Sequence, residues 1–243
     1  MSTVLILGAN SDIAQALAKQ YARNGYDIYL AARDTSKLTG FASDLAIREG
    51  IKVDIFEVDI LKFESHIGFY QQFNEKPMGV ICCIGYLGDQ NKAELSFSES
   101  EKIISSNYTG IVSLLNIIAG DFEDRGAGFI VGIASVAGLR GRKSNYIYGS
   151  AKAALISYLS GLRNRLSNTD VHVMTVNPGF VNTKMTRDLE LPALITAEPI
   201  VVAKDIFNAQ KKKRDVIYSL WCWRYIMLVI RLIPETIFKR LNL

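Results

Sequence analysis

Seven short apolar runs, separated by longer segments of three- and four-residue apolar spacing, constrain this chain of 243 residues more than any other feature. The runs at 4–7, 28–31, 53–58, 80–84, 129–133, 171–176 and 216–218 are rich in Val and Ile. They are apolar on both faces, as strands buried between two helix layers must be. The intervening segments place apolar residues along one helical face, as at Ile13, Leu17 and Tyr21, and again at Leu155, Tyr158, Leu159 and Leu162. A strict strand–helix alternation needs right-handed crossovers, which build a parallel sheet covered on both sides.

The expected fold is therefore α/β: a single Rossmann-type, doubly wound parallel sheet of about seven strands, helices on both faces, and a C-terminal amphipathic tail. The length suits one domain over residues 1–220, with 221–243 as a basic aromatic tail. At 49% hydrophobic and 21% charged, the composition excludes a disordered or collagen-like chain. The three cysteines include adjacent Cys82 and Cys83, which speaks against a disulfide framework and for a reducing cytoplasm. Strand-like sequence starts at Val4 with no basic stretch before it, so no leader is expected. A net charge of +4 is too small to suggest nucleic acid, but its distribution is uneven. From Lys211 onward there are eight basic and two acidic residues, whereas the chain before it carries 20 and 22.

In such a sheet ligands bind beyond the carboxyl ends of the strands. The first strand runs into Gly8-Ala9-Asn10-Ser11-Asp12-Ile13-Ala14. A glycine there permits a tight turn, and the following helix N-terminus offers free N–H groups to a phosphate. An ordinary glycine turn before a helix capped by Ser11 is the alternative. The second strand ends at Arg33-Asp34. Arginine at this place accommodates a ribose 2′-phosphate, while an acid pairs with a free 2′-hydroxyl. Arg33 thus favours NADP(H), and Asp34 leaves room for NAD(H); a solvated loop charge is the bland reading. Asp59, closing the third strand, is placed either to accept from an adenine amino group or to cap the next helix.

Tyr148 and Lys152 stand four apart, so both project from one helical face. Ser135 lies just past the fifth strand, and Asn107 falls inside a helix-period segment, where its propensity is poor.

These motifs, Gly8-x-x-x-Asp12-x-Ala14, Asn107, Ser135, Tyr148-x-x-x-Lys152 and Asn177-Pro178-Gly179, resemble the short-chain dehydrogenase/reductase family in order and spacing over residues 3–218. Two motifs depart from the family: Asp12 and Ala14 replace glycines in the first, and Cys82-Cys83-Ile84-Gly85 replaces Asn-Asn-Ala-Gly in the second. The resemblance implies a homo-oligomeric, NAD(P)H-dependent enzyme, free of metal, that interconverts a ketone and a secondary alcohol. It assigns Tyr148 as proton donor, its pKa lowered by Lys152, with Ser135 polarising the substrate oxygen and Asn107 fixing a water next to Lys152. Cofactor contacts are implied at Gly8, Asn10, Ser11, Ile13, Arg33, Asp59, Ile60, Gly85, Pro178, Gly179, Val181 and Thr183, besides Tyr148 and Lys152.

The segment 184–195 is the expected substrate lid. Met185, Leu189, Leu191, Leu194 and Ile195 suit either a lipid-like substrate or packing on the body. In the tail, Trp221, Trp223 and Tyr225 adjoin an apolar run bracketed by Arg224 and Arg231, far too short to span a bilayer. It suits a helix lying in a membrane interface, or one packed on protein. With Gly85-Tyr86-Leu87-Gly88-Asp89, the tail resembles a narrower branch of the family, reductases of a 2-keto sugar carried on a polyprenyl phosphate. That branch implies a lipid-linked keto substrate and peripheral contact at the inner face of a membrane. The departures at Asp12 and Cys82-Cys83 motivate the competing expectation, a non-catalytic nucleotide-binding or membrane-docking protein.

Overall fold

The computed structural model describes residues 2–187 and 190–241. The first half of the sheet is built by β1 (Thr3–Leu7), α1 (Asp12–Ala22), β2 (Asp27–Ala32), α2 (Thr39–Glu49), β3 (Val53–Glu57), α3 (His66–Gln71) and β4 (Gly79–Cys82). Then come α4 (Gln90–Leu95), α5 (Phe97–Ile104), α6 (Gly110–Arg125), β5 (Ala127–Ile133), α7 (Tyr146–Arg165) and β6 (Asp170–Pro178). The chain closes with β7 (Phe180–Val181), β8 (Thr196–Ala197), α8 (Pro199–Lys211), β9 (Val216–Ser219), α9 (Cys222–Leu232) and α10 (Glu235–Phe238).

The seven expected strands form one parallel sheet in the order β3-β2-β1-β4-β5-β6-β9. The order reverses beside β1, where β2 and β4 flank it with Leu7 level with both Ala31 and Cys82. That switch point opens a crevice at the carboxyl ends. Alternation along β1 explains the two layers. Val4 and Ile6 pack with Leu17, Tyr21 and Ile206 on one face; Leu5 and Leu7 pack with Leu114, Leu155 and Leu159 on the other.

The sheet strands are as the apolar runs predict, but β6 continues to Pro178 and so carries Asn177 to the crevice. The two-stranded pairing of β7 with β8 is an addition, closing the ends of the expected lid together. The helical run Phe97–Arg125 meets the length and hydropathy of a membrane span, yet half of it is buried inside the fold. It is a core helix, interrupted by one π turn at Ser105–Thr109.

The tail does not hang free. On α9, Trp223 and Met227 are buried four residues apart and join Val136, Leu139, Phe180 and Ile195 in a third, smaller core. Its opposite face exposes Trp221, Tyr225, Leu228 and Leu232.

Candidate active site

Gly8 adopts φ +78°, open only to glycine without strain, and a Cβ there would press on the backbone of Cys83 and Ile84 at 3.0 Å. The Gly8 and Ala9 N–H groups both donate to Ala31 O, at 2.9 and 3.0 Å, which bends the chain tightly over the strand ends. Ser11 caps α1, its hydroxyl accepting from Ala14 N at 3.2 Å, as its position predicts. Asn10 ties this turn to the next by donating to Asp34 O at 2.7 Å.

At the second strand end the two charges separate. The Asp34 carboxylate accepts from Ser36 Oγ at 2.6 Å and pairs with Lys37 at 2.9 Å, both of which hold it below its usual range. Arg33 is exposed and has no ion pair among the described residues. Asp59 turns its carboxylate onto Leu61 N at 3.1 Å rather than capping a helix, and Ile60 beside it is buried.

Asp12 stands where the family has glycine, and its carboxylate is engaged by the protein itself. It reaches across to the lid: Oδ2 accepts from Lys184 N at 2.7 Å and Oδ1 lies 3.5 Å from the Lys184 ammonium. A pocket of about 270 Å³ lies here, lined by Asp12, Asn182, Thr183, Lys184 and Arg187. Thr183 N donates to Thr186 Oγ1 at 3.2 Å, and Thr186 donates in turn to Val181 O at 2.6 Å, so the start of the lid is a closed turn. Of the expected lid residues, Met185 and Leu194 are exposed, Leu191 and Ile195 are half-buried, and Leu189 lies outside the described residues.

The four catalytic candidates converge from three elements. Tyr148 sits in the first turn of α7 and Lys152 one turn later. Ser135 caps a tight turn, Val136–Leu139, by accepting from Ala137 N at 3.1 Å. That turn presses onto α7 at Gly149, where a Cβ would stand 2.8 Å from Ala137 O; this close approach sets Ser135 beside Tyr148. Lys152 is 2% exposed, and its ammonium donates to Ile133 O at 3.1 Å and Ile84 O at 3.5 Å, at the ends of β5 and β4.

One expectation needs correction. Tyr148 is not acidified in the protein alone. Burial pushes its phenol up to about 12, with the Ser135 hydroxyl offsetting part of the rise. Lys152 Nζ is 5.8 Å from the Tyr148 ring centre and bonds to carbonyls instead; burial drives its own pKa down to about 8. The Asn107 amide is held by the chain around it. It lies in the π turn, fully buried, donating to Tyr86 O at 2.6 Å and Ile103 O at 2.8 Å and accepting from Tyr86 N at 3.2 Å. The amide thus clamps the loop after β4. A Cβ on Gly85 in that loop would touch Asn107 Oδ1 at 3.4 Å, Lys152 Nζ at 3.6 Å and Met185 Cε at 3.7 Å, so the glycine keeps open the space these three surround.

The sequence pattern does not point to Tyr86, whose hydroxyl donates to buried Glu99 at 2.7 Å, nor to Lys184 as the partner of Asp12. Trp223 enters the sequence reading only as one of the aromatic residues beside the tail's apolar run.

A doubly wound sheet, a glycine turn at its switch point and a Ser-Tyr-Lys cluster at the same edge define one class of protein. The chain belongs to the short chain dehydrogenase family, whose profile matches residues 2–192, and is with it a nicotinamide-dependent oxidoreductase. It is 33% identical over 241 residues to an uncharacterized oxidoreductase of Mycobacterium tuberculosis, covering 98% of this chain and 96% of that one. A Streptomyces coelicolor oxidoreductase is 31% identical over 98% of this chain and 95% of its own. Among solved structures, a short-chain dehydrogenase from Sphingobium yanoikuyae in complex with NADPH superposes with TM-score 0.85 at 24% identity, over 97% of both chains. The bulky-bulky ketone specific alcohol dehydrogenase from Comamonas testosteroni gives 0.81 at 21% identity, over 97% of this chain and 96% of that one. These two likenesses are of fold.

The residues present fit a dinucleotide. Two buried side-chain oxygens, Asn10 Oδ1 just past β1 and Asn177 Oδ1 near the end of β6, have no protein partner, and the capped α1 N-terminus and Arg33 lie at the same carboxyl-end edge.

Proposed function

We propose that this protein reduces a ketone to a secondary alcohol with NADPH, and that its substrate is a 2-keto sugar carried on a polyprenyl phosphate. The observation that carries the reductase reading is the burial of Lys152 one helical turn beyond Tyr148, with Ser135 held against the phenol by the turn at Gly149. NADPH supplies the hydride. The turn at Gly8, Asn10, Ser11 and Ile13 would hold the pyrophosphate, Arg33 the 2′-phosphate, and Asp59 and Ile60 the adenine. Gly85, Pro178, Gly179, Val181 and Thr183 would border the nicotinamide half.

Ser135 would donate a hydrogen bond to the carbonyl oxygen and so polarise it. Tyr148 stays protonated at neutral pH because its pKa lies near 12, and it gives its proton to the developing alkoxide, a far stronger base. Lys152, charged below about pH 8, stabilises the phenolate left behind and orients the bound ribose. Asn107 keeps the Gly85-Tyr86 loop off the Lys152 ammonium, leaving a passage by which a water can restore the proton.

The lipid-linked substrate is supported by the exposed face of α9 and α10. There Trp221, Tyr225, Leu228, Leu232 and Ile237 stand among Arg224, Arg231, Lys239 and Arg240, none of these cations ion-paired among the described residues. Exposed aromatics with unpaired cations match the interfacial zone of an anionic bilayer. The protein would then be cytoplasmic and peripheral at the inner face of the membrane.

The test is to titrate NADPH and NADH by fluorescence and then screen simple ketones and soluble and lipid-linked 2-keto pentoses side by side. NADPH-dependent turnover that favours the lipid-linked pentose is the expected result. Cofactor binding without turnover on any ketone would favour the non-catalytic reading. Co-sedimentation with anionic liposomes at low salt, lost in a Trp221→Ala/Tyr225→Ala/Arg231→Glu variant, tests the docking face without uncovering the core beneath α9.

A further inference from the structure

Trp223 is 2% exposed and is shared by three segments that surround the reacting centre. Its indole Nε1 donates to Ile195 O at 3.0 Å, at the far end of the lid just before β8. Its ring fills the space over Gly179: a Cβ built on that glycine would fall inside the indole. Phe180 meets the ring edge-on at 5.1 Å and 86°, and Val136, the residue after Ser135, completes the contact. The polar N–H is satisfied only by the lid, and the flat ring fits only against a residue without a side chain.

The chain between Ser135 and Tyr148 is fastened to the same region. Arg140 bonds to Glu235 at 2.6 Å and Ile233 O at 3.3 Å, and its guanidinium lies 4.2 Å from the Phe238 ring centre. The C-terminal helices therefore brace the Ser135 side of the cleft and hold its lid through one side chain.

We infer that Trp223 is a positioning residue for the ketone site: it fixes the gap between the Ile195 end of the lid and the Gly179 turn, and thereby sets how bulky a ketone the cleft accepts. The inference rests on the reductase reading and deepens it. A small residue in place of the indole would let the lid end drift away from the turn, widening the cleft on the substrate side. The adenosine end, at Arg33 and Asp59 on the opposite half of the sheet, would not sense the change.

The test compares wild type with Trp223→Phe, which keeps a ring over Gly179 but deletes the N–H, and Trp223→Leu, which removes both. Four quantities are read: thermal midpoint, kcat and KM for a small and a bulky ketone, the Kd of adenosine 2′,5′-bisphosphate, and the rate of tryptic cleavage after Lys184 and Arg187. For Trp223→Phe we expect an unchanged Kd for the adenosine probe and faster tryptic cleavage. The ketone KM should rise about 5- to 10-fold, the scale of one lost hydrogen bond in a dry site, with kcat nearly kept. Trp223→Leu should in addition shift the preference toward the bulky ketone.

Unchanged KM and unchanged cleavage in both variants would overturn the inference. So would a lower thermal midpoint with the adenosine probe weakened in step, which marks the indole as core packing alone. If wild type reduces no ketone, the reductase reading fails, and the cleavage rates still decide whether Trp223 holds the lid.

Discussion

The nucleotide edge and the substrate edge of this sheet are built by different means. At the nucleotide edge, from Gly8 to Asp59, the decisive contacts are backbone ones between neighbouring strand ends, such as Gly8 N and Ala9 N on Ala31 O. At the substrate edge they are side-chain contacts between distant parts of the chain. Arg140 reaches Glu235 across 95 positions, and Trp223 holds Ile195 across 28. A site shaped by backbone tolerates changes of side chain, so Asp12 and Ala14 can stand where the family has glycine. A site shaped by side chains does not, and it is where one reductase comes to differ from another.

The sharpest break of this comparison is chemical. Tyr148→Phe should leave cofactor binding intact and lower kcat by about 10²- to 10⁴-fold, the usual worth of a positioned general acid. Fluorescence titration with NADPH beside a steady-state assay checks both halves; near wild-type turnover would remove Tyr148 from the mechanism.

Next in size is Arg33→Ala. Losing a charge-assisted bond to the 2′-phosphate should weaken NADPH about 10- to 100-fold while NADH changes little. Equal losses for both cofactors would leave Arg33 a surface charge.

The pH profile comes third. Lys152 is charged below about pH 8 and neutral above it, whereas Tyr148 remains protonated to about 12. Reduction needs both protons in place, so kcat/KM should be level at neutral pH and fall as pH rises through about 8. A profile flat to pH 10 would mean that the Lys152 charge does not assist.

The smallest expected effect lies where the two edges meet. Lys184 already neutralises Asp12, and exposed pairs contribute little, so Asp12→Asn should alter NADPH affinity by less than about 3-fold. Lys184→Ala should weaken NADPH more than Asp12→Asn does, because it leaves the carboxylate alone beside the phosphate site. Isothermal titration of the two single variants and the double variant measures the coupling directly.

The strands, their parallel pairing and the Tyr148–Lys152 face were legible in the sequence because they follow from short apolar runs, their alternation with helices and a period of 3.6, all read along neighbouring residues. Ser11 as a cap and the turn at Gly8 were legible for the same reason, since each acts within four residues. The lowered pKa expected for Tyr148 was not borne out. It depends on where the Lys152 ammonium points, and the carbonyls of Ile84 and Ile133, from two other strands, decide that. The clamp that the Asn107 amide places on Tyr86 was not legible either, because it is fixed by a π turn that no spacing announces.

By itself, then, the sequence determined which residues form strands and helices and which chemical groups the crevice edge can offer. Only the tertiary structure decided what those groups touch. It turned Asp34 onto Ser36 and Lys37 and left Arg33 free; it spent Asp12 on the lid. It also brought the aromatic tail, readable equally as a membrane anchor or a packed helix, to lie with Trp223 against Gly179 while Trp221 and Tyr225 face outward. The reason is physical: local periodicity is set by bonds between near neighbours, whereas charge pairing and burial depend on distances between residues that only the folded chain makes small.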